Sequence, residues 1–219
     1  MLATGACQTC GVYDRRKRLS EACLYLVCDA RPDAFLHAVL EGGVDIVQLR
    51  IKDGSDAEIL AAAARFKRIC AEHGALFMLN DSPELAVEAD ADGVHLGQDD
   101  TPVTRARNTI GPERLVGLST HSEQQVLGAH GADYLGVGPV HETPTKPGRS
   151  AVGLELVRYA ATHARVPFFA IGGIDPTNVD RVRAAGAERI AVVRGLTEAS
   201  DPEGAARQLR PAGVSVGTT

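Results

Sequence analysis

"GGVDIVQL", Gly42 to Leu49, passes from two small residues through an acid into an apolar run. The same plan returns as "ADGVHLG" (Ala91–Gly97), "HGADYLGV" (His130–Val137) and "AGAERIAV" (Ala185–Val192). Each moves from a helix-ending small residue through a polar residue into a strand-like segment. Four further apolar runs alternate with these: "CLYLVCD" (Cys23–Asp29), "ALFMLND" (Ala75–Asp81), "LVGLST" (Leu115–Thr120) and "PFFAIGG" (Pro167–Gly173). The quoted stretches therefore introduce the second, fourth, sixth and eighth strands of a doubled βα repeat. Nearly continuous apolar character suits strands buried on both faces, as in a parallel sheet. The segments between have helical spacing, most clearly "SDAEILAAAARFKRICAEHG" (Ser55–Gly74), where Ser55 and Glu58 make a capping box and Gly74 a C-cap. Eight such units predict an α/β fold, a single-domain (β/α)8 TIM barrel over residues 21–211. Residues 1–20 read as a flexible N-terminal extension and residues 212–219 as a C-terminal tail. An open doubly wound sheet is the alternative, but no Gly-x-Gly-x-x-Gly leads the chain.

Composition narrows the function. The 219 residues are 44% hydrophobic and 23% charged, enough for a real core. A net charge of -5 argues against a general nucleic-acid binder. No apolar stretch reaches the length of a membrane span, and no secretory apolar region stands at the start, so cytoplasmic residence is expected. Five cysteines do not suggest a disulfide framework. Cys7-x-x-Cys10 has no second pair to complete a zinc site and reads as part of an idle extension. The Arg15–Arg18 run beside it reads as a solvated face. The oligomeric state is not decided, and a homodimer is left open.

In a barrel, chemistry belongs at the C-terminal ends of the strands. The second ends "QLRIK", where Gln48, Arg50 and Lys52 alternate and so share one side. Three such groups aimed at a barrel mouth are costly without an anion to meet them. The third strand offers Asn80 and Asp81; the fifth offers Ser119, Thr120 and His121. After the sixth, "HETPTKPG" carries Lys146 in a loop stiffened by Pro144 and Pro147. The seventh ends Gly172-Gly173 and the eighth is followed by Arg194, the usual place for a phosphate in this fold. The fourth ends "GQDD". Followed by Thr101-Pro102, its aspartates read alone as acids before a helix capped by Thr101. At a strand end beside Arg50, Lys52 and Lys146 they read instead as part of a mixed-charge mouth. Carboxylates beside a phosphate repel it unless a hard divalent cation such as Mg²⁺ lies between. Two anion sites in one mouth suggest two phosphorylated small-molecule substrates. His95 and His121 read as structural or polar-lining groups, and no nucleophile–base arrangement is visible.

In order and spacing, "QLRIK", "LND", "GVHLGQDD", "GLSTH", "GVGPVHETPTK", "AIGGI" and "AVV" resemble thiamine phosphate synthase. The resemblance runs from about Leu24 to Arg210. It implies a Mg²⁺-dependent transferase that joins hydroxymethylpyrimidine diphosphate to a thiazole phosphate, giving thiamine phosphate and diphosphate. By the same resemblance, Gln48, Arg50, Lys52, Asn80, Ser119 and Lys146 hold the pyrimidine diphosphate. Asp81 and Asp100 are the metal ligands. Thr143, Pro144, Thr145, Gly173, Val193 and Arg194 hold the thiazole phosphate. The diphosphate departs first, and the thiazole nitrogen captures the resulting pyrimidine-methyl cation, which needs no base. If the thiazole arrives carboxylated, decarboxylation follows coupling. Three residues depart from the pattern: Ile51 for an acid, Pro144 for a small polar residue, and Arg194 for serine. The rival readings are a thiazole tautomerase-like isomerase, kept alive by His121, and a non-catalytic phosphate-binding barrel.

Overall fold

The computed structural model describes residues 9–142 and 150–211, with side chains from residue 15 onward. Eight parallel strands close into a barrel in sequence order. They are β1 (Leu24–Cys28), β2 (Ile46–Leu49), β3 (Leu76–Asn80), β4 (Gly93–Leu96), β5 (Leu115–Thr120), β6 (Tyr134–Val137), β7 (Phe168–Ile171) and β8 (Ile190–Val192). The helices are α1 (Thr9–Glu21), α2 (Asp33–Glu41), α3 (Asp56–Glu72), α4 (Pro83–Glu88), α5 (Val103–Ile110), α6 (Glu123–Gly128), α7 (Gly153–His163), α8 (Val179–Ala184), α9 (Arg194–Thr197) and α10 (Pro202–Leu209). The predicted barrel is observed.

Strand alternation divides the core in two. Leu26, Val47, Leu49, Phe77, Leu79, Val94 and Val116 face outward and pack with Leu36, Val39, Phe66 and Ile69 of the helices. Tyr25, Val27, Ile46, Leu76, Met78, Leu115, Tyr134 and Phe169 fill the interior. The register Val27↔Gln48↔Met78 puts Gln48 inside, while Leu49 and Ile51 pack on the outer layer. Ser55 and Glu58 form the expected capping box of α3, and Gly74 follows its C-cap with φ +68°. The start of α5 differs from expectation. Pro102 itself is the N-cap residue, at ψ 141°, and no side chain caps the helix, so Thr101 does not fill that role.

The N-terminal segment also departs from the sequence reading. Residues 9–21 are helical, and Leu19 and Ala22 are buried with the barrel interior. Arg15 Nε donates to Asp92 Oδ1 at 2.8 Å, and Arg16 donates to Asp133 Oδ1 at 3.2 Å and to the carbonyl of Pro112. The basic run thus pairs with acids that precede β4 and β6 rather than facing solvent alone. Cys7 and the side chain of Cys10 lie outside the described residues. No helix among the described residues is long and apolar enough to cross a membrane.

Candidate active site

At the C-terminal end of the barrel two cavities share a wall made by Val27, Gln48, His95, Ser119, His121, Ile171 and Val193. One, of about 340 Å³, is lined by Arg50, Lys52, Asn80, Asp81, Asp99 and Asp100. The other, of about 250 Å³, has an apolar floor of Tyr25, Phe169 and Ile171 and closes against Gly172, Gly173 and Arg194. The first cavity is thus lined mainly by polar and charged groups, while in the second Asp175, Arg194 and Glu198 stand around an apolar floor.

The polar cavity is built from strand ends. Gln48 is buried, and its Nε2 donates to Asn80 Oδ1 at 2.6 Å, linking the ends of β2 and β3. Arg50 and Lys52 stand just past β2, on the same side of the chain as Gln48. Asp81 has φ 65°, a left-handed conformation that aspartate tolerates better than most residues, and its N–H donates to the carbonyl of His95. Asp100 Oδ2 accepts the N–H of Gly97 at 2.6 Å, which fixes its carboxylate over the end of β4. Gln98 donates to the carbonyl of Ser119 and ties β4 to β5. Among the described residues, no group of three or more His, Cys, Asp or Glu side chains is arranged to hold a metal. Three carboxylates beside two cationic side chains still suit Mg²⁺, which binds through few protein ligands and completes its shell with water and phosphate oxygens.

The apolar cavity ends in a shaped turn. Gly172 and Gly173 have φ of +109° and +62°. A Cβ on Gly173 would lie 2.7 Å from that of His141, so only glycine fits without a shift. "DPTN" explains the turn's rigidity. Asp175 Oδ1 accepts from the N–H and hydroxyl of Thr177, and Asn178 donates to the carbonyl of Gly173 at 2.8 Å. Arg194 begins α9 directly after β8 and lies 3.9 Å from Glu198; both line this cavity.

Of the site residues expected from sequence, Gln48, Arg50, Lys52, Asn80, Asp81, Asp100, Ser119, Gly173, Val193 and Arg194 all line these two cavities. Thr143, Pro144, Thr145 and Lys146 lie outside the described residues. A sequence reading misses Tyr25 and Tyr134. Their hydroxyls meet at 3.0 Å inside the barrel, and Tyr134 also contacts His95 Nδ1 at 3.1 Å. In sequence each is an aromatic within an apolar run, and closure of the barrel brings the hydroxyls together across its interior.

A family model described as thiamine monophosphate synthase matches residues 24–196, most of the chain. The chain belongs to the thiamine monophosphate synthase family. A thiamine-phosphate synthase of Nostoc sp. (strain PCC 7120) is 49% identical over 194 residues, covering 87% of this chain and 55% of that protein. One from Saccharopolyspora erythraea is 50% identical over 210 residues, covering 89% of this chain and 94% of that protein. The chain thus spans little more than half of some curated relatives that it matches and nearly all of others. A thiamine phosphate pyrophosphorylase structure from Pyrococcus furiosus superposes with a TM-score of 0.79 at 33% identity, covering 86% of this chain and 94% of that one. The matched family region contains every residue lining the two cavities except Glu198.

Proposed function

We propose that this chain couples 4-amino-2-methyl-5-(diphosphooxymethyl)pyrimidine to a hydroxyethylthiazole phosphate, releasing diphosphate and thiamine phosphate. The carrying observation is the pair of cavities with a common wall, one polar and mixed in charge, the other apolar and ended by a glycine turn. The pyrimidine diphosphate occupies the polar cavity. Arg50 and Lys52, with Lys146, face the diphosphate, and Gln48, Asn80 and Ser119 hold the ring. Asp81 and Asp100 would hold Mg²⁺, which when bound supplies positive charge to the leaving diphosphate. The thiazole lies on the apolar floor, its phosphate at Gly173, Val193 and Arg194, with Thr143, Pro144 and Thr145 assigned to it by the resemblance alone.

The wall that both cavities share lets the two rings meet. The cationic side chains stabilise charge as it collects on the departing diphosphate, which lowers the barrier to forming the pyrimidine-methyl cation. The apolar floor orients the thiazole so that its nitrogen lone pair faces that carbon. The nitrogen already carries its lone pair, so no base is required, in keeping with the lack of a nucleophile–base pair in the sequence. Cys23, Cys28 and Cys70 are free thiols, which suits a reducing cytoplasm.

The test is to mix the protein with both phosphorylated rings, with and without Mg²⁺, and measure diphosphate release. Release that needs both rings and the metal is expected; no release under any divalent metal would overturn the proposal.

A further inference from the structure

The end of β4 and the turn after it, Gly97 to Asp100, are fastened at three points. Asp100 Oδ2 folds back onto the Gly97 N–H at 2.6 Å, so closely that a Cβ on Gly97 would lie 2.9 Å from that oxygen. The Asp81 N–H donates to the carbonyl of His95 at 2.9 Å, which ties the end of β3 to β4. Gln98 Nε2 donates to the carbonyl of Ser119 at 2.6 Å, which ties the turn to β5. Asp81, Asp100 and Ser119 are therefore all fastened to this one strand end.

The third fastening takes the place of a rung of the sheet. β4 pairs with β5 from Gly93↔Leu115 to Leu96↔Leu118, and the ladder stops there. Ser119 lies one residue farther along β5 and is buried, where a carbonyl without a donor is costly. The amide of Gln98 supplies that donor from a side chain. Gln98 itself is exposed and lines the polar cavity but not the apolar one. Ordering so long a side chain at the surface costs rotamer freedom and returns little stability. What the bond does return is a fixed distance between the turn that carries Asp100 and the strand that carries Ser119.

We propose that Gln98 is a positioning residue, which by bridging the turn to β5 sets the Asp100 carboxylate against Ser119. The metal and the pyrimidine ring are then held at one spacing, and the diphosphate that joins them fits without rearrangement. Residue 98 also lies inside the loop of atoms closed by the Gly97–Asp100 bond, so freeing its side chain frees the backbone between those two residues. The metal and the ring rest on the synthase reading; the bridge and its hold on the turn do not.

Gln98→Met keeps the length of the side chain and removes the donor. Amide hydrogen exchange of the full-length, ligand-free protein reads the bridge without metal or substrate. The Gly97 amide should exchange at least about tenfold faster in the variant, while the Phe77 amide, held by Asp92, keeps its rate. No change at Gly97, or equal acceleration at Phe77, overturns the proposal. Calorimetric titration at saturating Mg²⁺, with each substrate added alone, supplies the second arm. Affinity for the pyrimidine diphosphate should fall about fivefold, the scale of one neutral hydrogen bond, with affinity for the thiazole phosphate kept within about twofold. Equal losses for both would make Gln98 a general support of the barrel mouth, and no loss would make the bridge idle; either overturns the positioning role. If the wild type binds neither substrate while Gly97 responds as stated, the synthase reading falls and the bridge stands on the exchange result.

Discussion

Asp92 joins two distant parts of the chain through its two oxygens: Oδ1 accepts from Arg15 Nε at 2.8 Å, and Oδ2 accepts the N–H of Phe77 at 2.9 Å. The first bond holds α1 under the barrel and the second closes the start of β3. Asp45 does the same for the N–H groups of Cys23 and Leu24 and is met by Arg210. Asp133 receives the N–H of Val116 and is met by Arg16 and Arg107. The acids of the sequence repeat thus serve the N-terminal face of the barrel, opposite the two cavities.

At the repeat's fourth occurrence the acid is displaced. Glu188 pairs with the neighbouring Arg189, and its side chain is 84% exposed. Asp92→Ala, which strips a buried amide of its acceptor, should cost about 2 kcal/mol in denaturant unfolding, with Tm lower by roughly 6 °C. Glu188→Ala should stay within about 0.5 kcal/mol of the wild type. Equal losses from the two would contradict the structural role assigned to the repeat acids.

The barrel was legible because its eight strands are apolar on both faces, and the repeat marked every second one. Gln48, Asn80 and Ser119 were legible because polar residues that end apolar runs need a reason to be there. The N-terminal helix was not. Its visible feature is a basic run, and the acids that answer it lie far along the chain, as the Arg15–Asp92 and Arg16–Asp133 pairs illustrate. The tyrosine–histidine chain was hidden for a related reason. Tyr25, His95 and Tyr134 sit on β1, β4 and β6, and only the curvature of the closed sheet brings their polar atoms together.

Alkaline pH should weaken the fold through Cys28. Burial on the outer face of β1 pushes this thiol from its ordinary 9.0 up to about 12. Below pH 9 both folded and unfolded chains hold the proton, and the thiol adds no pH dependence. Between pH 9 and 12 the unfolded chain sheds a proton that the native chain keeps, so stability falls by about 1.4 kcal/mol per pH unit. Urea unfolding across this range should therefore show a shallower decline in Cys28→Ala than in the wild type. Identical slopes would contradict the raised thiol.

Gly173→Ala should separate the two substrates. The added methyl meets His141 Cβ at 2.7 Å and the Glu142 carbonyl at 3.1 Å, and the left-handed φ strains alanine by about 1 kcal/mol. The turn must shift, and with it the end of the apolar cavity. KM for the thiazole phosphate should rise about tenfold or more, with KM for the pyrimidine diphosphate changed by less than about twofold. A rise confined to the pyrimidine diphosphate would place the thiazole phosphate elsewhere.

The adjacent acids Asp99 and Asp100 should prove unequal. Both line the polar cavity, and the Asp100 carboxylate is set by a backbone amide, through Gly97 N–H at 2.6 Å. Orientation of this kind suits a metal ligand, since a ligand held in place loses little freedom on binding. Asp100→Asn keeps the size of the side chain but removes its charge, so Mg²⁺ affinity and turnover should fall about a hundredfold. Asp81→Asn should behave alike, because the same ion would bridge both groups. Asp99→Asn should stay within about threefold of the wild type, the size of effect expected of a charge acting from outside the ligand set. Diphosphate release measured against Mg²⁺ concentration distinguishes these outcomes. For Asp100→Asn, partial recovery at high Mg²⁺ is expected, since a weakened site can be refilled by mass action. Equal losses at Asp99 and Asp100, or a loss at Asp100 indifferent to Mg²⁺, would remove Asp100 from the ligand set.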